Sequence, residues 1–143
     1  MPDRQKLRRV FVVDDEPLIA STLAMILSNS GFNAIAFNKP LEALQASQSE
    51  APDLLISDIM MPFLSGIELA TQVKEICPNC NVLLVSGQAN TGNYLKNGQR
   101  FEFLSKPVHP LDMLRKIQSI TEEAPPKPSV SGVPRMDLVL RSA

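Results

Sequence analysis

Short apolar runs alternate with longer amphipathic segments along most of this chain, and this alternation constrains the fold more than any other feature. The short runs are continuously apolar, which is typical of strands that are buried on both faces. The longer segments carry apolar residues at helical spacing, as Ile19, Leu23, Ile26 and Leu27 do. Strands that alternate with helices predict a doubly wound parallel sheet, with right-handed crossovers and helices on both faces.

Five strands and their connecting helices are predicted. The strands cover residues 9–13, 33–37, 54–57, 82–85 and 101–104, and the helices cover 17–30, 40–49, 66–76 and 113–120. Pro17 suits a first helical turn, and Gly31 lies just past the end of that helix. A further short helix is expected by topology between Gly87 and Arg100, although the glycines and asparagines there would anchor it poorly.

The composition predicts one folded domain, residues 8–123, between a basic arm (1–7) and a tail rich in proline and serine (124–143) that is expected to be disordered. The formal net charge is −1, so nothing global attracts nucleic acid or a membrane surface. No apolar stretch approaches the roughly 20 residues that a membrane span needs. The basic residues Arg4, Lys6, Arg8 and Arg9 precede a run too short for a signal peptide, so a cytoplasmic location is expected.

The only two cysteines form the motif Cys77-Pro-Asn-Cys80. A redox dithiol requires a helix N-terminus after a strand, whereas this motif lies where a helical pattern ends and a strand begins. A structural zinc site requires more ligands, and His109 is the only histidine. We interpret the cysteines as two separate thiols in a turn, and His109 as an exposed loop residue.

Polar side chains follow four of the predicted strands. They are Asp14, Asp15 and Glu16, then Asp58, then Ser86, then Lys106 with Pro107. Ligands of an open parallel sheet bind beyond the carboxyl ends of its strands, so these groups are expected to converge. The three aspartates would form an oxygen-rich cup for a hard divalent cation, whose charge would offset their repulsion. Glu16 is interpreted as a helix first-turn charge rather than a ligand.

Each of these residues has a structural explanation when taken alone. Asp58 could be a helix N-cap, Lys106 a surface lysine, and Ser86 a turn residue before Gly87. Their convergence at one edge of a single predicted sheet favours a functional site.

Four motifs, each at a strand end, resemble the response-regulator receiver domain of two-component signalling. They are VVDDEP (12–17), LLISDIMMPFLSG (54–66), VLLVSG (82–87) and FLSKP (103–107). The resemblance covers about residues 8 to 122 and implies a flavodoxin-like sheet with strand order 2-1-3-4-5.

The resemblance implies that Asp58 accepts a phosphoryl group from the phosphohistidine of a sensor histidine kinase or phosphotransfer protein. It further implies a metal site for Mg²⁺, with Mn²⁺ as a substitute, in which Asp15 binds directly and Asp14 through water. Asp58 and the backbone carbonyl of Met60 would complete the protein ligands. Lys106 would share the neutralisation of phosphoryl charge with the metal. Such a protein is a signalling switch that catalyses only its own phosphorylation and dephosphorylation.

The resemblance also implies a conformational switch. Ser86 would hydrogen-bond a phosphoryl oxygen, and Phe103 would turn inward when Ser86 moves. The fourth helix, fifth strand and fifth helix would then bind an effector protein or an appended output domain, or form a homodimer. A cis Lys106–Pro107 bond is expected. Met60 and Gln88 would flank the approach of hydrolytic water and set the lifetime of the phosphorylated state.

Three alternatives remain for comparison. A magnesium-dependent phosphohydrolase typically carries a second acid two residues after its aspartyl nucleophile, where this chain has Met60. A nucleotide-binding module requires a glycine-rich loop after the first strand, where this chain has carboxylates. A binding module without phosphorylation would not need the complete polar set.

One departure from the family is Gly98-Gln99-Arg100 in place of the usual Gly-Ala before the fifth strand.

Overall fold

A five-stranded parallel sheet lies at the centre of the computed structural model, which describes residues 8–87, 95–96 and 99–122. Its strands are β1 (Arg9–Val13), β2 (Asn33–Phe37), β3 (Leu54–Asp58), β4 (Asn81–Ser86) and β5 (Glu102–Ser105). The helices are α1 (Pro17–Asn29), α2 (Pro40–Ser49), α3 (Gly66–Ile76) and α4 (Pro110–Glu122), of which α4 was predicted as the fifth helix. The predicted arm and tail lie outside the described residues.

The spatial order of the sheet is β2-β1-β3-β4-β5, and every neighbouring pair is parallel. This confirms the predicted doubly wound sheet of order 2-1-3-4-5. The strand order reverses between β1 and β3, where Val13 pairs with Ser57. The residues that follow this pair, Asp14 and Asp58, therefore leave the sheet side by side at its carboxyl edge, where α/β proteins bind ligands.

The sheet is covered on both faces because successive side chains of each strand point to opposite sides. In β1, Phe11 and Val13 pack with α2 and α3, whereas Val10 and Val12 pack with α1 and α4. The two buried clusters enclose the central strands, and β2 and β5 at the edges are partly exposed. The site at the carboxyl edge is thus built on the ends of buried strands.

The segment after β4 departs from the prediction. Leu95–Lys96 and Gln99–Arg100 form a small antiparallel ribbon, so a helix through these residues is wrong. Residues 88–94 and 97–98 lie outside the described residues. Asn97-Gly98 separates the two strands in the sequence, and Asn-Gly is the dipeptide most typical of two-residue hairpins. The helix prediction overlooked that signal.

The other predicted elements are confirmed with small shifts of their ends. β5 begins one residue later than expected, and the buried Phe101 precedes it. Cys77 and Cys80 are free and buried in the turn between α3 and β4, where the prediction placed them. Among the helices of the described residues, none combines the length and apolarity that crossing a bilayer requires.

Candidate functional site at the carboxyl edge of the sheet

Three aspartates meet at the carboxyl edge, as predicted. Asp14 directly follows β1 and is 3% exposed, and Asp58 ends β3 and is 7% exposed, whereas Asp15 is exposed. One carboxylate oxygen from each residue lies within 4.8 Å of the other two. Three carboxylates at this separation form a donor set of the kind that Mg²⁺ prefers.

Asp14 is held in place by backbone groups. Its N–H donates to the Phe37 carbonyl at 3.1 Å, and its Oδ1 accepts from the Glu16 N–H at 2.9 Å. Glu16 was predicted to lie in the first turn of α1. It is instead the N-cap residue, one position before the helix begins, and its side chain makes no capping bond. The helix begins at Pro17, because proline suits the first helical turn.

Lys106 lies between two of the carboxylates. Its Nζ is 3.4 Å from Asp58 Oδ1 and 3.6 Å from Asp14 Oδ2. Its backbone N–H donates to the Ser86 carbonyl at 2.8 Å, which ties the end of β5 to the end of β4. The bond from Lys106 to Pro107 is cis, as expected. The amine is therefore fixed against Asp58 by both its side chain and its backbone.

The electrostatics of the site leave negative charge uncompensated. Burial raises the pKa of Asp58; the Lys106 ammonium lowers it, the Asp14 and Asp15 carboxylates raise it again, and the net pKa is raised. Burial acts to lower the pKa of Lys106, but Asp14 and Asp58 outweigh this and raise it. Among the described residues, Lys106 thus pairs with Asp14 and Asp58 while Asp15 adds a third carboxylate beside them, and this arrangement would favour a bound cation.

The loop between β3 and α3 is closed by Gly66. A Cβ at this position would lie 2.1 Å from the Asp58 carbonyl oxygen, so no other residue fits without moving backbone. The Gly66 N–H donates to the Ile59 carbonyl at 2.8 Å. Ser65 and Glu68 form a reciprocal capping box at the start of α3. The helix N-terminus is therefore packed directly against the backbone of Asp58.

The remaining predicted site residues differ in their placement. Ser86 is buried at the end of β4, and Phe103 is half-buried against the cluster formed with α2 and α3. The Met60 side chain is 64% exposed, and Gln88 lies outside the described residues. His109 is exposed just before α4, as predicted. Phe63 and Gly66 both stand in the motif LLISDIMMPFLSG (54–66), but neither was predicted to have a role in the site.

Comparison with known proteins identifies the family. A family model described as the response regulator receiver domain matches residues 10–118. The response regulator receiver protein CpdR of Brucella abortus is 29% identical over 116 residues, which cover 80% of this chain and 97% of that protein. A receiver domain protein of Methanospirillum hungatei, described as CheY-like, has a solved structure with a TM-score of 0.73 and 27% identity. That match covers 82% of this chain and 96% of the other.

Longer relatives are similar to this chain over only a part of their own length. The DNA-binding transcriptional regulator NtrC of Escherichia coli is 33% identical over 100 residues, which cover 68% of this chain and 21% of NtrC. The chain spans about a fifth of the length of the first curated relatives that it matches. The shared part is the receiver domain, whose model covers most of the chain. This chain belongs to the family of response regulator receiver domains.

Proposed function

We propose that this chain is the phosphoacceptor of a two-component phosphorelay and that Asp58 is the residue phosphorylated. The observation that carries the proposal is the juxtaposition of Asp58 with Lys106 and two further aspartates. Lys106 Nζ is 3.4 Å from Asp58 Oδ1, and the three carboxylates lie within 4.8 Å of one another. The phosphodonor is a phosphohistidine on a sensor kinase or phosphotransfer protein in the cytoplasm.

The reaction is a transfer from nitrogen to oxygen. An Asp58 carboxylate oxygen attacks phosphorus, so an O–P bond forms while the N–P bond of the donor histidine breaks. The electron pair of the broken bond stays on the imidazole nitrogen, which is neutralised by a proton. Lys106 stabilises charge on the equatorial phosphoryl oxygens, since its ammonium already lies within ion-pair distance of Asp58.

Asp14, Asp15, Asp58 and the backbone carbonyl of Met60 would hold Mg²⁺, or Mn²⁺ in its place. Such an ion supplies positive charge that neutralises the transferring phosphoryl group. The donor set supports this assignment, because in the described part of the chain three carboxylates cluster and Lys106 forms ion pairs with only two of them. Burial of Asp58 between them is costly without a cation, as its raised pKa indicates.

The chain acts as a switch rather than as an enzyme with turnover. Ser86 lies buried at the end of β4, beside the Lys106 backbone, and would bind a phosphoryl oxygen. Its movement would vacate space for Phe103, which is half-buried one strand away. The changed face around β5 and α4 would then bind an effector protein, an appended output domain or a second copy of the chain.

The test is labelling with acetyl phosphate in the presence of Mg²⁺. The wild type is expected to gain one phosphoryl group, and Asp58→Asn none, because an amide is not a nucleophile. Asp112→Asn is the matched control: it makes the same change at an exposed position in α4 and leaves labelling intact. A chelator is expected to stop the reaction. Labelling of Asp58→Asn at the wild-type level would refute the assignment.

The same preparation separates the phosphohydrolase alternative. A phosphohydrolase releases many equivalents of phosphate from a generic phosphate ester, whereas a receiver is expected to release none beyond its own slow dephosphorylation. Met60, which stands where such enzymes carry their second acid, offers no proton to a leaving group. Sustained turnover that is lost in Asp58→Asn would favour the hydrolase instead.

A further inference from the structure

The most exposed apolar side chains in the described part of this receiver lie at the same edge of the sheet as the acidic site. Eight large apolar side chains are exposed in the described part of the chain. The five most exposed are Phe63, Leu18, Met60, Leu111 and Leu41. Leu18, Leu41 and Leu111 lie in the first turns of α1, α2 and α4, and Met60 and Phe63 lie in the loop after β3. All five are therefore at the carboxyl edge of the sheet, which is a distribution typical of an interaction surface.

Phe63 is the extreme case, with two unfavourable features at one position. Its side chain is 94% exposed, and its backbone has a φ of 73°. This left-handed region disfavours bulky L-residues, and glycine or asparagine occupies it at less cost. An exposed phenylalanine there contributes nothing visible to packing within the described residues. Backbone strain of this kind is found at functional sites, where it is part of the mechanism.

The loop geometry keeps Phe63 close to the phosphoacceptor. Gly66 packs so tightly on the Asp58 carbonyl that a Cβ there would lie 2.1 Å from it. Phe63 is three residues before Gly66, so their Cα atoms are at most about 11 Å apart. Ile59, Met61 and Leu64 of the same loop pack into the core, whereas Met60 and Phe63 face outward. Asp58 itself is recessed, so a large donor that reaches it has to contact this rim.

We infer that Phe63, with its neighbour Met60, is a docking residue that determines which phosphohistidine protein can transfer to Asp58. This inference rests on the proposed phosphoacceptor function and adds to it a partner contact specific to this chain. The occupant is the protein phosphodonor, and it covers Phe63 only while its histidine faces Asp58. A small phosphodonor has no surface that reaches Phe63.

The experiment compares two donors on the same variants. One donor is phosphoramidate; the other is the autophosphorylated core of a histidine kinase chosen, among those of the same genome, for transfer to the wild-type chain. Phe63→Asn keeps a residue that tolerates a positive φ but removes the apolar ring. We expect it to lower the transfer rate from the kinase relative to phosphoramidate about tenfold. Phe63→Tyr retains the ring and is expected to keep the wild-type ratio.

Met25→Asn is the control, because Met25 is an exposed apolar residue of α1 about 12 Å along the helix from its start. It is expected to leave both rates unchanged. An unchanged ratio of kinase to phosphoramidate rates in Phe63→Asn, or an equal loss in Met25→Asn, overturns this inference but leaves the proposed function standing. A concentration-dependent dimer of the wild type that Phe63→Asn dissociates also overturns it, since the occupant is then a second copy. Absence of phosphoramidate labelling in the wild type refutes the proposed function and this inference with it.

Discussion

Replacing Gly66 by alanine tests how closely the acidic site depends on backbone packing. The added Cβ would lie 2.1 Å from the Asp58 carbonyl oxygen and 2.9 Å from both the Asp58 carbonyl carbon and the Ile59 Cα. These are backbone atoms of β3 and its loop, so no side chain can rotate away. α3 must therefore shift relative to the end of β3, by roughly 1.3 Å or more to reach an ordinary van der Waals contact.

The expected loss of folding stability in Gly66→Ala follows from the kind of atoms that clash. Overpacking costs about 1–3 kcal/mol, and a clash with backbone belongs at the upper end. For a domain of this size, about 3 kcal/mol lowers Tm by roughly 10 °C. The same shift reaches Asp58 and the carbonyl of Met60, which are proposed metal ligands. We therefore expect Mg²⁺ affinity to fall about tenfold, a range typical of disturbing the support of metal ligands.

Gly31→Ala separates loss of stability from loss of metal binding. Gly31 has a φ of 99° and open space around its Cα, so alanine is strained without any clash. It lies between α1 and β2, at the amino edge of the sheet and opposite the site. We expect it to lower Tm by several degrees. Its Mg²⁺ affinity is expected to remain at the wild-type value.

The assays are thermal unfolding by circular dichroism and Mg²⁺ titration by calorimetry, at a temperature where all variants are folded. Two results would contradict the reasoning. If both glycine variants weaken Mg²⁺ binding equally, general destabilisation is the cause. If Gly66→Ala lowers Tm but binds Mg²⁺ normally, the contact with Asp58 supports the fold without positioning the site.

Four other predictions follow from the same contacts. Burial raises the pKa of Asp58 above 3.8, so the folded chain binds more protons than the unfolded one. The stability of the wild type therefore falls as pH rises from 3.8 through the raised pKa. In Mg²⁺-free urea titrations, Asp58→Asn is therefore expected to be more stable than wild type at neutral pH; a stability difference independent of pH would contradict this. Met60→Asn is expected to speed loss of the phosphoryl group about tenfold, or about 1.4 kcal/mol in the barrier, because it can orient a water where methionine excludes one. Decay after donor removal measures this, and equal decay would show that water access is controlled elsewhere. Phe63→Gly is expected to raise unfolding free energy by about 0.5–1 kcal/mol by removing strain, as measured by urea titration; a decrease would show that the ring stabilises the loop. Ser65→Ala removes the capping box of α3 and is expected to lower the free energy of unfolding by about 1 kcal/mol. An unchanged free energy of unfolding would show that water replaces the cap.

Local sequence patterns predicted most of the architecture. The apolar runs of β1, β3 and β4 are long enough and pure enough to be buried strands, and all three were found within one residue of their predicted ends. Where the pattern was weak, the prediction failed. Between Gly87 and Arg100 the few apolar residues did not specify a helix, and the described residues form a small antiparallel ribbon.

The convergence of Asp14, Asp58 and Lys106 was also predictable, because parallel strands bring their carboxyl ends to one edge. Their roles in phosphoryl transfer remain proposals, as do those of Ser86 and Phe103. The sequence contained these residues in the right order. It did not contain the distances that make Lys106 a partner of two carboxylates rather than a surface lysine.

Only the tertiary structure revealed why Gly66 is required and that Phe63 is strained. Both properties arise where two pieces of backbone meet: α3 approaches the Asp58 carbonyl, and the loop between them closes with a positive φ at Phe63. A periodic pattern records which face of an element is buried, because burial depends on the side chain at each position. It does not record how closely backbones approach, since that distance is decided by the packing of helices against the whole sheet.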